Sequence, residues 1–287
     1  MLREERPMSK TMRFWKMQSL GNDYILIDNR DHSIKEDEIY TLARKLCQRR
    51  FSIGADGVLL ISNPSRGDVG MRILNADGSE AEMCGNGIRC LAKYCYENKI
   101  VQRKDFIVET LAGLKSVKVF VEDSKVENIL VNMGHPVFDR NKLPMRGEGR
   151  CINEPLKVGN KEVRITCLSV GNPHCVIFVD DVEHFPVQDI GPLIEHNDLF
   201  PRGVNVEFTQ ILNPHEIQAR IWERGVGETM ACGTGACATV VAANTLGNVD
   251  TQVIVHLRGG DLTIGYKENI SLFGSAEKAF EGSIFLE

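Results

Sequence analysis

The chain has 287 residues, a size that accommodates two ordinary domains, and its 43% hydrophobic and 25% charged residues exclude both a disordered and a membrane-embedded protein. A formal net charge of -5 gives no electrostatic reason to bind nucleic acid or an anionic membrane, so a small molecule is the expected partner. Nine cysteines, an odd number without the framework of a small secreted domain, point to reduced thiols in a cytoplasmic protein.

Residues 1–12 read as a disordered leader, too charged for a secretory signal, and no run approaches the ~18 apolar residues of a membrane span. FWKMQSLGNDYILID follows, an apolar, aromatic-rich strand pattern broken by a Gly-Asn turn. Ser33 with Glu36 makes a capping box, and Ile39, Leu42, Ala43 and Leu46 form one apolar stripe, which predicts a helix over 34–49. Strands are expected over 57–62 and 71–74, with a turn at Asn75-Ala76-Asp77-Gly78. After Cys84, the three- and four-residue spacing of Ile88, Leu91, Ala92 and Cys95 predicts a buried helix. KSVKVFVED and VENILVNM alternate as antiparallel strands joined by hairpins. The second half follows the same plan: a strand over 165–170, GNPHCVIFVDD, a short helix near 188–196, and the strands VNVEFTQI and EIQARIWE. A helix over 236–246 comes next, capped by Gly247, and strands over 252–257, 261–266, 268–274 and 282–286 close the chain.

The halves repeat one another. Met83-Cys84-Gly85-Asn86-Gly87 and Ala231-Cys232-Gly233-Thr234-Gly235 lie 148 residues apart, Gly21-Asn22 precedes Gly171-Asn172 by 150, and Gly54 precedes Gly203 by 149. Three matches in order at nearly one offset indicate internal duplication. Each half is strand-rich around one principal helix, an α+β pattern rather than βαβ. The expected modules are 13–128 with a return of about 275–287, and 129–274. Duplicated modules tend to face each other across a pseudo-twofold axis, where one ligand can meet both cysteines.

A cysteine before Gly-x-Gly at the head of a helix has a chemical logic. The glycines let a ligand approach the backbone, and the first-turn amides, which lack intrahelical partners, bind anions. The positive helix end favours a carboxylate there and lowers a nearby thiol from about 8.5. A carboxylate between two such ends would carry a sulfur on either face of its α-carbon, an arrangement suited to racemisation or epimerisation. One base tends to return a proton to the face it left, whereas two opposed bases invert the centre. An amino-acid α-proton is far less acidic than a thiol, and each missing pK unit is about 1.36 kcal/mol. Preorganised donors, at about 2.7 to 4 kcal/mol each where charge develops, could supply much of what a pyridoxal cofactor otherwise provides, so no cofactor is expected.

GNDYILID, LNADGSEAEMCGNGIRC, VGNPHCVIFV, NVEF and WERGVGETMACGTGACA together resemble diaminopimelate epimerase, over roughly residues 13–287. The resemblance implies cofactor-independent interconversion of LL- and meso-2,6-diaminopimelate on the bacterial lysine and peptidoglycan route. It also implies a homodimer of two-domain chains, each domain a barrel-like, mostly antiparallel β-sheet wrapped around a central helix. By position it makes Cys84 and Cys232 the acid/base thiols, and Gly85, Asn86, Gly233 and Thr234 the cradle for the reacting carboxylate. Asn22, Asn75, Asn172, Asn205 and Arg224 match residues that hold the substrate, mainly its distal end. His174 and Glu223 match positions that tune the cysteines and orient the α-ammonium. Some members place a substrate-contacting glutamine where this chain has Gly57, so that contact does not carry over. A guanidinium and several amides also make sense on their own terms, because the distal end of diaminopimelate is a zwitterionic amino acid.

Cys90, Cys95, Cys167, Cys175 and Cys237 are expected in the core, and the 84, 90, 95 spacing contains no CxxC, so no metal site is expected. Proline racemases and hydroxyproline epimerases also pair cysteines, but typically carry a histidine where this chain has Asn86, and they have no distal group for Arg224 to hold. A thiol hydrolase using Cys232 with His174 leaves the duplicated Cys84 without a role. An amino-acid-binding or redox-sensing protein with a regulatory disulfide is the non-catalytic alternative.

Overall fold

The computed structural model describes residues 10–159 and 161–286. The first half runs β1 (Lys10–Ser19), β2 (Asn22–Asp28), α1 (Glu36–Cys47), β3 (Gly57–Ser62), β4 (Val69–Asn75), β5 (Glu80–Ala81), α2 (Gly85–Glu97), β6 (Asp105–Thr110), β7 (Gly113–Glu122) and β8 (Lys125–Gly134). The second runs β9 (Cys151–Val158), β10 (Lys161–Ser169), β11 (Pro173–Phe178), α3 (Val187–Glu195), β12 (Asn205–Asn213), β13 (Glu216–Glu223), β14 (Gly227–Thr229), α4 (Gly233–Thr245), β15 (Gln252–Leu257), β16 (Gly260–Tyr266), β17 (Ile270–Gly274) and β18 (Glu277–Leu286).

Pairing exposes the duplication strand by strand. One ladder follows β18-β1-β2-β3-β4-β6-β7-β8, and the other β9-β10-β11-β12-β13-β15-β16-β17. The parallel steps occupy equivalent places, β2–β3 with β11–β12 and β4–β6 with β13–β15, and all other steps are antiparallel. β8 and β17, equivalent strands, pair with each other and join the ladders into one sheet of 18 strands. The first ladder is completed by β18 from the chain's end. Of the leader expected over 1–12, residues 1–9 lie outside the described residues, while Lys10 to Met12 already run in β1 opposite Leu286 to Ile284. The module limit expected at 128/129 falls inside β8.

Each ladder curls around its own helix. α2 packs on β1, β2, β7 and β8, and α4 on β10, β11, β12, β16 and β17. Helix α4 is buried from Gly233 through Ala243, consistent with an apolar sequence on every face. It stops as expected at Gly247 (φ 76), where Gly247 N–H donates to Asn244 O and Asn248 N–H to Ala243 O in a Schellman motif. Helix α1 starts later than the Ser33 reading. Its cap is Lys35, whose N–H donates to Glu38, while the Ser33 hydroxyl points back to Asn29. The strand β9 has no counterpart in the sequence reading.

Candidate active site

The backbone places the two cysteines identically. Cys84 and Cys232 are the N-cap residues of α2 and α4, both extended (φ -143 and -126), and each sulfur accepts from the backbone N–H three residues on, Gly87 and Gly235, at 3.4 Å. The two helix starts then touch. A methyl group built on Gly85 would lie 3.4 Å from Gly233 Cα, and one on Gly233 would lie 3.3 Å from Gly85 Cα. A side chain at either position would crowd the facing backbone and Leu272, packed beneath both, so glycine suits this approach. The first-turn amides of both helices therefore open on one cleft of about 920 Å³.

Cys84, Cys232, Gly85, Asn86, Gly233 and Thr234 line this cleft, and so do Asn22, Asn75, Asn172, Asn205, Glu223 and Arg224. His174 does not. It is fully buried one layer behind the wall, between Glu207 (Nδ1 to Oε1, 2.7 Å) and Asn172 (Nε2 to Oδ1, 2.8 Å). Through Asn172 it reaches the cleft without lining it. Asn205 is held by a donated bond to Pro173 O and an accepted one from Arg224 N–H, both 2.9 Å, and Asn75 donates to Ser79 Oγ at 2.9 Å. Asn22 donates to Asp56 at 2.9 Å, and Asn86 donates to Ala231 O at 3.3 Å across the helix junction. Arg224 Nη1 donates to Arg202 O at 3.3 Å. Glu223 accepts from Thr229 Oγ1 at 2.6 Å. Gly57 is not part of the cleft lining. It lies under the Tyr24 ring, and a Cβ there would approach Leu74 O to 2.6 Å, so a larger side chain at this position has no room without a backbone shift.

Three neighbours are absent from the sequence reading. The Tyr24 hydroxyl lies 2.9 Å from Cys84 Sγ, Glu207 backs His174, and Arg49 joins Asp23 and Asp56 at the rim. Tyr24 and His174 are themselves 150 residues apart, in the register of the Gly-Asn repeat, which is the signal that could have singled out Tyr24.

The electrostatics reverse one expectation. Burial pushes the Cys84 thiol above its usual range, against the pull of the Tyr24 hydroxyl and the Gly87 amide. Burial pushes Cys232 well above it, and the charge of Glu223 adds to the rise. Burial also raises the Glu223 carboxyl, with the Thr229 bond opposing. Desolvation by the surrounding protein outweighs the lowering expected from the helix ends. Both shifts favour the protonated thiol.

Known proteins resemble this chain along nearly its whole length. A family model described as diaminopimelate epimerase matches residues 14–138 and 166–278. Curated proteins named diaminopimelate epimerase match nearly end to end. That of Pelotomaculum thermopropionicum is 51% identical over 94% of this chain and 98% of its own length, and that of Moorella thermoacetica 46% identical over 96% and 100%. Among solved structures, a hydroxyproline epimerase from Agrobacterium vitis superposes with TM-score 0.72 at 14% identity, covering 98% of this chain and 94% of that one. A PhzF-family phenazine biosynthesis protein from Bacillus anthracis superposes with TM-score 0.70 at 17% identity, covering 96% and 100%. These distant likenesses establish the shared fold. With about half its residues shared with named relatives along almost its entire length, and the family pattern matched in both halves, this chain belongs to the diaminopimelate epimerase family.

Proposed function

We infer that the protein interconverts LL- and meso-2,6-diaminopimelate by a two-cysteine proton transfer at the α-carbon, a step of lysine and peptidoglycan precursor synthesis. The contact of Gly85 with Gly233 carries the reading, because it brings both helix starts to the one cleft that Cys84 and Cys232 line. The reacting carboxylate accepts from the amides of Gly85, Asn86, Gly233 and Thr234, where the helix ends are positive. The α-ammonium faces Glu223 and supplies the positive charge that the buried thiols lack.

Binding of the ammonium releases one thiol proton to solvent, and that thiolate takes the α-proton, forming an S–H bond as the C–H electron pair moves into the carboxylate. The opposed thiol then delivers its own proton to the other face and is left as the thiolate. Protons and charge balance, and the two sulfurs have exchanged states. Amides fixed around the carboxylate stabilise the developing dianion at about 2.7 to 4 kcal/mol per donor. Arg224 with Asn22, Asn75, Asn172 and Asn205 holds the distal amino-acid end. His174, pinned by Glu207, fixes Asn172 from behind. We further propose that the protein works in the cytoplasm as a homodimer, with the two modules of each chain closing on substrate.

Turnover of LL-diaminopimelate in deuterated water tests the reading. The expected result is deuterium at the inverted carbon of the product, with protium kept in unreacted substrate. Product that keeps its protium would mean a single base or an internal return, and would end the two-thiol account.

A further inference from the structure

Five residues into α2, one turn below the cradle, the side chain of Arg89 is fully buried. Every bond it makes goes to a neutral oxygen. Nε donates to Ser275 O (3.2 Å), Nη1 to Gly85 O (2.9 Å), and Nη2 to Asn86 Oδ1 (2.7 Å) and to the Ser19 hydroxyl. Among the described residues it has no carboxylate partner. A guanidinium stays protonated under all ordinary conditions, and an uncompensated buried charge is among the most destabilising features a core can hold. Two of its four bonds run to Gly85 and Asn86, which line the cleft. At the equivalent place in the other half, 148 residues on, stands Cys237, which is neutral. That half instead holds two carboxylates, the fully buried Glu207 and the half-buried Glu223.

We propose that Arg89 is a positioning residue of this site, a fixed buried cation whose counter-charge arrives with the reaction as the substrate carboxylate and the Cys84 thiolate. It acts through Asn86, whose carbonyl it holds so that the amide stays turned toward Ala231 and the junction of the two helices. It also makes the two thiols unequal, because Cys84 ionises beside a cation and Cys232 beside carboxylates. The titratable groups facing this pair are Tyr24 from β2, Glu223 from β13, Cys90 on α2 itself and Cys237 from α4. Tyr24 assists Cys84 by hydrogen bonding, Glu223 opposes it, and the two thiols are neutral at working pH.

The inference rests on the reading of Cys84 and Cys232 as an acid/base pair, but its test needs no substrate. Each thiol of the folded protein is alkylated with iodoacetamide across a pH series, and Cys84 and Cys232 are followed separately by mass spectrometry of digests. In the unaltered protein the midpoint for Cys84 should lie below that for Cys232. Arg89→Met, which keeps the volume and removes the charge, should raise the Cys84 midpoint by about one pH unit, a tenfold change, and leave Cys232 nearly unmoved. Arg89→Lys should restore the midpoint while raising the KM for LL-diaminopimelate about fivefold, since a point charge cannot reproduce the fork on Gly85 and Asn86. A folded Arg89→Met protein with an unshifted Cys84 would overturn the proposal. If that variant does not fold, the unaltered protein decides: a Cys84 midpoint at or above that of Cys232 overturns it, and one below supports it. Failure to turn over diaminopimelate would instead sink the reading of function and leave the alkylation result standing.

Discussion

Cys84 and Cys232 share a backbone position and differ in company: a tyrosine hydroxyl at 2.9 Å from one, a threonine hydroxyl at 3.3 Å from the other. Replacing either by serine preserves the N-cap geometry, since a hydroxyl oxygen accepts from the same amide. It removes the acidity, because an alkoxide is far harder to form than a thiolate. We expect Cys84→Ser and Cys232→Ser each to lower kcat/KM by about 10³-fold with little change in thermal stability. Rates of meso product formation on both proteins check this, and a serine variant with near-normal turnover would remove that sulfur from the chemistry. Both cysteines were legible in the sequence because the Cys-Gly-x-Gly string recurs. Tyr24 and Glu207 were not read, because each acts through a contact that only the fold creates, 60 and 33 residues away; Tyr24 is marked only by its 150-residue register with His174, and nothing in NVEF marks Glu207.

Helix α2 follows from an apolar spacing of three and four behind a capping side chain and α4 from a continuous apolar run behind the same cap, and both were legible as elements. Their contact is a tertiary fact that depends on two glycines. Gly233→Ala puts a methyl group 3.1 Å from Leu272 Cδ1 and 3.3 Å from Gly85 Cα, so the helix starts must separate by a few tenths of an ångström or more. Overpacking of this kind costs about 1 to 3 kcal/mol, partly offset by the better helix propensity of alanine. The larger effect belongs to catalysis, where misplacement on the order of 1 Å costs about 10²-fold. We expect a modest fall in the urea midpoint with a disproportionate loss of kcat/KM, and equal retention of both would show that the helix contact does not set the geometry. Strand β9 illustrates what stayed hidden. Its sequence CINEPLKV is interrupted by Asn-Glu-Pro, whose proline removes a ladder donor, and it pairs with β10 at the open end of its ladder. The two- and three-residue strands β5 and β14 are too short for any periodicity to register.

At the scale of the molecule, the repeat predicted two similar halves, and the ladders show how far the likeness extends, down to the positions of the parallel steps. The return of the chain's end to the first half, expected over about 275–287, takes the form of β18 pairing with β1, which joins segments more than 250 residues apart. One property of the whole molecule follows from wrapping the two ladders around central helices: eight of the nine thiols are buried, and Cys84 is half-buried. Burial raises Cys47 from 9.0 to about 11, and Cys90 and Cys237 to about 12, and Cys95 and Cys167 are raised as well. For an acid whose folded value lies above its unfolded one, the stabilising contribution is complete below the unfolded value. It is lost as pH rises from there through the folded value. With unfolded thiols titrating near 9.0 and folded ones near 11 to 12, the loss should begin at about pH 9 and grow toward pH 12. At pH 10 a fully buried thiol such as Cys237 contributes on the order of 1 kcal/mol to that loss. Urea unfolding in reductant at about pH 8 and about pH 10 should therefore show a lower midpoint at the higher pH. Cys237→Ala supplies the control, since the cavity it leaves costs the same at both pH values while its titration disappears. The gap between the two midpoints should narrow in that variant, and an unchanged gap would assign the alkaline loss to tyrosines and lysines rather than to buried thiols.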